Sequence, residues 1–158
     1  MTSTCLLLLC TTLVGLEELP EKKQSTLISN CVELGERAEA YGLDPSLMIS
    51  IGHTESRFNK KAKSRAGAMG MLQVLPKYFC PKKGRCDYTD AGFEAWTRWS
   101  NKRTTKEALC RYNSGRKCAE SKRASYYSRT VLKKLRRLSL LVKKTSCPGC
   151  ECSNEDGC

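Results

Sequence analysis

The alternation of apolar and polar positions divides the chain into segments of helix length. Cys5 to Leu16 is an apolar run, CLLLLCTTLVGL. It is too short to cross a bilayer comfortably as a helix. It suits either the core of a secretory signal peptide, with Gly15 at the cleavage point, or a buried N-terminal helix. The Lys or Arg usual before a signal core is missing. Glu17 to Gln24 is polar, contains Pro20 and reads as a linker. From Ser25 to Tyr41, apolar residues including Leu27, Cys31, Leu34 and Ala38 recur at helical spacing. Gly42 ends that helix. Asp44 and Pro45 start the next one as N-cap and first-turn residue. Its inner face is Leu47, Met48, Ile51 and Thr54, which leaves Glu55 near its C-terminal end.

The second half continues the helical pattern. Ala66 to Phe79 is apolar and contains Gly67, Gly70 and Pro76, so two short helical turns are expected there. Asp90 to Trp99 places Phe93, Trp96 and Trp99 three residues apart. Thr104 or Thr105 caps a helix through Tyr112 that Gly115 ends. Ser121 to Val142 reads as a long basic helix, and residues 145–158 form a Cys-rich tail. The Cys80–Cys86 loop is the one plausible hairpin, and no internal repeat is present. The fold class is therefore mainly α. The organisation is an apolar segment or signal peptide at 1–16, a linker at 17–24, a single compact domain at 25–144 and the tail at 145–158.

Charge sharpens this picture because it is uneven. The 28 Lys and Arg against 16 Asp and Glu give +12 overall. Residues 1–55 carry 3 basic and 8 acidic residues, whereas residues 56–86 carry 9 basic and no acidic ones. Residues 101–144 carry 15 basic and 2 acidic residues. The balance excludes an acidic chain and suggests a polyanionic partner, while the 40% of hydrophobic residues are enough for a packed core and exclude a largely disordered chain. The 11 Cys point to an oxidising compartment or to bound metal.

Candidate chemistry begins with Glu55 in HTESRFN. A Glu at a helix end against apolar residues has its pKa raised by desolvation. A protonated Glu is what cleavage of a glycosidic bond requires, because the leaving oxygen must take a proton. Alone this is a weak signal. Three blocks in order give it weight: DPSLMISIGHTESRFN from Asp44, SRAGAMGMLQVLP from Ser64 and ALCRYNSG from Ala108. Over roughly Gly42 to Leu135 the chain resembles the lysozyme-like soluble lytic transglycosylase family.

The resemblance implies a lysozyme-like α+β domain with a glycan-binding cleft. It implies Glu55 as the single catalytic acid/base and Ser56, Gln73, Tyr112 and Asn113 as substrate-site residues. The implied substrate is peptidoglycan, cut between N-acetylmuramic acid and N-acetylglucosamine without water, giving a 1,6-anhydromuramoyl end. It implies no metal, no cofactor and a place outside the cytoplasm, in the periplasm, wall or medium or on a phage virion. Arg65, Met71-Leu72, Gly52-His53 and Arg111 depart from the family's usual residues without touching the site positions.

Several alternatives stay open. A goose-type lysozyme shares the fold and a single Glu but activates water with Asp residues; Asp87 or Asp90 could do so only if the Cys80 loop covers the cleft. A non-catalytic glycan-binding module is a further class. The segment LKKLRRLSLLVKK suggests nucleic acid by charge, but its Leu periodicity makes it a core helix. Its basic face suits contact with anionic wall polymer or a membrane surface rather than specific nucleic acid. Cys80 with Cys86 and Cys110 with Cys118 are plausible local disulfides, and Cys31 is expected as a buried thiol. The tail cysteines read as disulfides, a disordered tail or, less well, a zinc site.

Overall fold

Local caps set most helix boundaries. The computed structural model describes residues 1–15, 18–80 and 85–144. These form α1 (Ser3–Val14), α2 (Glu21–Ala40), α3 (Pro45–Ser56), α4 (Pro76–Phe79), α5 (Tyr88–Ser100), α6 (Thr105–Ser114) and α7 (Lys122–Lys144), with a 3-10 turn at Cys118–Glu120 before α7. Asp44 caps α3 as expected: one carboxylate oxygen accepts from the N–H groups of Ser46 and Leu47. Asp87 caps α5 and Thr104 caps α6 in the same way. Gly115 ends α6 in the left-handed region, at φ 71°.

α3 is the central element. Met48, Ile49 and Ile51 are at most 1% exposed. It packs against α2 on one side and α7 on the other, while α6 also packs on α7. α2 starts at Glu21, so Glu21–Gln24 belong to a helix and not to the expected linker. The apolar N-terminal run is α1. Leu6, Leu9, Leu13 and Val14 are buried in the main core, and Cys10 forms a disulfide with Cys31 of α2. This corrects the expectation of a buried Cys31 thiol: a second cysteine one helix away meets it, a pairing that no local spacing announces. The Cys80–Cys86 and Cys110–Cys118 disulfides are formed.

The Ala66–Val74 segment also differs from expectation. It forms turns around two isolated antiparallel bridges, Met69 with Lys63 and with Val74, and only Pro76–Phe79 is helical. The turn is fixed from outside, because Ser56 Oγ donates to the Met71 carbonyl at 2.9 Å. Gly70 sits at φ 75°, and a Cβ there would lie 2.7 Å from Tyr88 Cβ. Glycine is therefore required at this corner both by backbone and by space. Residues 145–158, with the tail's cysteines and the zinc reading, lie outside the described residues.

Candidate active site

Glu55 is the penultimate residue of α3. α3 ends immediately after it because Arg57 and Phe58 adopt positive φ, 53° and 63°. Phe58 is fully buried and anchors the turn. The corner is held by Ser56, whose hydroxyl donates to the Met71 carbonyl, and by Asn30 of α2, whose Nδ2 donates to the Phe58 carbonyl at 3.0 Å. The acid thus stands on a helix end braced from two directions.

Burial pushes the Glu55 carboxyl up to about 7. Two groups of α7 oppose that rise: the Tyr127 hydroxyl, by hydrogen bonding, and the Arg123 guanidinium, through its charge. No hydrogen bond of good geometry closes on the Tyr127 oxygen in this conformation, so its contact with the carboxyl is a loose one. Tyr112 on α6 completes the group. Burial and then the Glu55 charge raise its pKa, and its hydroxyl donates to the Leu72 carbonyl at 2.7 Å. Trp96, itself 5% exposed, backs the Tyr112 ring at 6.1 Å between centroids.

The residues selected from sequence have different roles in this arrangement. Glu55 and Tyr112 are brought together electrostatically. Ser56 acts on the frame, as a tie to the Met71 carbonyl. Gln73, at φ 48°, turns its Nε2 inward onto the carbonyls of Ala62 and Gly70, at 3.2 and 3.0 Å. Its amide is thereby fixed in orientation. Asn113 is half-buried, and its Oδ1 is buried without a hydrogen-bond partner. Such an acceptor is costly unless a ligand or water reaches it.

Tyr127 was missed. It lies in a helix that reads as basic and amphipathic, and a tyrosine on the inner stripe with Ala124 and Val131 looks like core packing. The available signal was its hydroxyl, which a buried tyrosine must place somewhere.

His53, one turn before Glu55's neighbour Ser56, is held neutral. Burial and then the charges of Lys134 and Arg57 lower its pKa to about 4. Its Nδ1 lies 2.7 Å from the Lys134 ammonium, which as the donor makes the ring nitrogen an acceptor. Lys134 also donates to Thr54 Oγ1 at 3.0 Å. This cluster ties α7 to α3 below the acid.

Asp87 and Asp90 are engaged on α5 and with α2. Asp87 caps α5 and lies 3.0 Å from Arg37 of α2, and Asp90 lies 2.5 Å from the same guanidinium. Hydrogen bonding and the Arg37 charge outweigh desolvation and hold the Asp87 carboxyl below its ordinary value. Arg111, the departure beside Tyr112, is drawn to Glu107 one turn back, at 3.3 Å. Among the described residues no second carboxylate contributes to the shift of Glu55.

The family model described as Transglycosylase SLT domain matches residues 34–133. That span holds Glu55, the Gly70 turn, Tyr112 and Tyr127. Over 57 residues the chain is 40% identical to membrane-bound lytic murein transglycosylase C of Actinobacillus pleuropneumoniae, covering 36% of this chain and 14% of that protein. It is 42% identical over 59 residues to the protein of the same name from Haemophilus influenzae, covering 32% of this chain and 16% of the relative. A shorter stretch of 36 residues is 56% identical to the Mannheimia succiniciproducens protein of that name. The chain therefore matches only a small part of the length of these relatives. No solved structure matches it significantly.

Proposed function

The chain belongs to the transglycosylase SLT domain family, and on that premise we propose that it is a peptidoglycan lytic transglycosylase acting outside the cytoplasm. The observation that carries the reading is a single carboxyl, Glu55, at the braced end of α3, which burial pushes up to about 7 and which acts electrostatically on the half-buried Tyr112 and the buried Tyr127. Near neutral pH a large share of the molecules hold it protonated, ready to act as an acid. The relatives named for murein transglycosylase activity support the same substrate class.

In the proposed reaction the protonated Glu55 gives its proton to the glycosidic oxygen between N-acetylmuramic acid and N-acetylglucosamine. The C1–O bond breaks, and the N-acetyl oxygen of the muramic acid stabilises the positive charge that develops at C1. The ionised Glu55 is then held by the Tyr127 hydroxyl and the nearby Arg123 charge. It takes the proton from the sugar's own C6 hydroxyl, whose oxygen bonds to C1. The products are a free N-acetylglucosamine 4-hydroxyl and a 1,6-anhydromuramoyl end. The proton lost in the first step is regained in the second, and no water enters.

The engagement of Asp87 and Asp90 with Arg37 supports this route over a hydrolytic one. A hydrolase would need a carboxylate free to activate water across the bond. The orphaned Asn113 acceptor suits an N-acetyl N–H or a sugar hydroxyl. The basic outer face of α7 suits contact with anionic wall polymers or an anionic membrane surface. No helix among the described residues is long and apolar enough to cross a membrane.

Release of soluble fragments from purified sacculi tests the catalytic assignment. The wild-type chain is expected to solubilise them, and Glu55→Gln is expected to lose about a hundredfold to ten-thousandfold of that rate, the scale of removing a general acid. Undiminished release by the variant refutes the role given to Glu55.

A further inference from the structure

The last helix, α7, has two sides of opposite chemistry. Val131, Leu138 and Val142 face inward and are buried in the main core. The outer side is a basic stripe. Nine of the 23 residues of α7 are Lys or Arg, and none is Asp or Glu. Arg129, Lys133, Arg136, Arg137, Lys143 and Lys144 recur at steps that keep them on one side of the helix, and all are exposed. At about 100° of turn per residue they share a sector roughly 120° wide. Among the described residues none of these six forms an ion pair.

Two large apolar side chains stand within the same stripe. Tyr126 is 68% exposed and Leu140 is 60% exposed. They lie about 21 Å apart along the helix axis. Leu140 has Arg136 and Arg137 one turn before it and Lys143 and Lys144 one turn after it. The cations alone suit any polyanion, and the apolar pair decides among them. A phosphate-rich polymer is polar throughout and offers Leu140 no apolar surroundings. A bilayer surface offers both, anionic headgroups for the cations and the start of the acyl layer just beneath for Leu140 and Tyr126. The aliphatic stems of Lys and Arg lie along that boundary while their charged ends stay with the headgroups.

We propose that the outer stripe of α7 docks the protein on an anionic phospholipid membrane, with Tyr126 and Leu140 entering the headgroup layer. The proposal rests on the reading of this face as an anionic-surface contact, narrows it to the membrane, and is independent of the role given to Glu55. Tyr127 lies on the inner side of α7 with Val131, so docking does not approach the group that meets Glu55.

Co-sedimentation of the full chain with vesicles tests this. Vesicles of equal parts phosphatidylcholine and phosphatidylglycerol are compared with vesicles of phosphatidylcholine alone. Soluble poly(glycerol phosphate), which carries phosphodiester charge without a bilayer, is the competitor. Two variants accompany the wild type, Arg136→Gln/Arg137→Gln and Leu140→Ser. All three positions are exposed, so both variants are expected to melt like the wild type. The wild type is expected to bind the mixed vesicles and not phosphatidylcholine alone. Loss of the two arginines is expected to weaken that binding roughly thirtyfold, and Leu140→Ser about tenfold. Absence of binding to the mixed vesicles, equal binding to phosphatidylcholine alone, or undiminished binding by either variant overturns the proposal. Displacement from the vesicles by the polymer at equal phosphate concentration overturns it in favour of a wall-polymer contact. Digestion of sacculi without vesicle binding overturns the docking surface and leaves the enzyme reading intact. Vesicle binding without digestion keeps the docking surface and removes the enzyme reading.

Discussion

The carboxyl of Glu55 is placed where its charge is costly, and two consequences follow. Its pKa is raised in the folded protein, from 4.5 to about 7. The folded state therefore binds this proton more tightly than the unfolded chain does. The associated stability is complete below about 4.5 and is lost as pH rises through about 7. Ionised Glu55 then costs up to about 3 kcal/mol. Glu55→Gln is accordingly expected to raise the melting temperature by several degrees at pH 8 and by much less at pH 4, as measured by calorimetry. Activity should fall along a basic limb centred near pH 7, because in the proposed reaction the protonated Glu55 acts first. Tyr127→Phe removes a group that favours the ionised form. It should shift that limb to higher pH and lower the maximal rate by about tenfold or more. A limb unmoved by the substitution would separate Tyr127 from the acid. The sequence blocks around Glu55, Gln73 and Tyr112 made these three legible, since each sits in a distinctive run. Tyr127 was not legible because its neighbours on α7 are ordinary core residues, and only the folded contact reveals what its hydroxyl meets.

Elements differ in how much of their shape is local. The helices were readable because Asp44, Thr104 and Gly115 carry caps and stops in their own side chains and backbones. The segment from Ala62 to Val74 was not, because its conformation is fixed by distant partners. Ser56 holds the Met71 carbonyl, and Tyr112 holds the Leu72 carbonyl from α6. Those contacts override the local preference for helical turns. Gly70→Ala tests how tightly this corner is set. It combines a left-handed backbone with a Cβ 2.7 Å from Tyr88, and should cost about 2–3 kcal/mol in chemical denaturation. Gly42→Ala has a similar φ of 72° but open space around the new Cβ, so only about 1 kcal/mol is expected from its backbone strain. Equal costs would show that the Tyr88 contact yields freely.

Taken as one body, the molecule joins the domain that the family model matches, residues 34–133, to an N-terminal helix that shares its core. α1 covers α2 with Leu6, Leu9 and Leu13, and the Cys10–Cys31 disulfide fastens the two helices. Composition alone is compatible with a signal core or a buried helix, since both are short and apolar; in this fold the run packs as α1 and is bridged through Cys10. Cys10→Ser/Cys31→Ser should lower stability by about 2–4 kcal/mol in denaturant titration, as expected for opening a loop of this length. An unchanged midpoint would show that α1 holds without its bridge. In the proposed reaction Glu55 works without a carboxylate partner, none contributing to its shift among the described residues, and that isolation is the central claim. The products of a sacculus digest, read by mass spectrometry, test it most directly. The account predicts muropeptides ending in 1,6-anhydromuramic acid, each lighter by one water than the hydrolysed form. Fragments ending only in reducing muramic acid would contradict it.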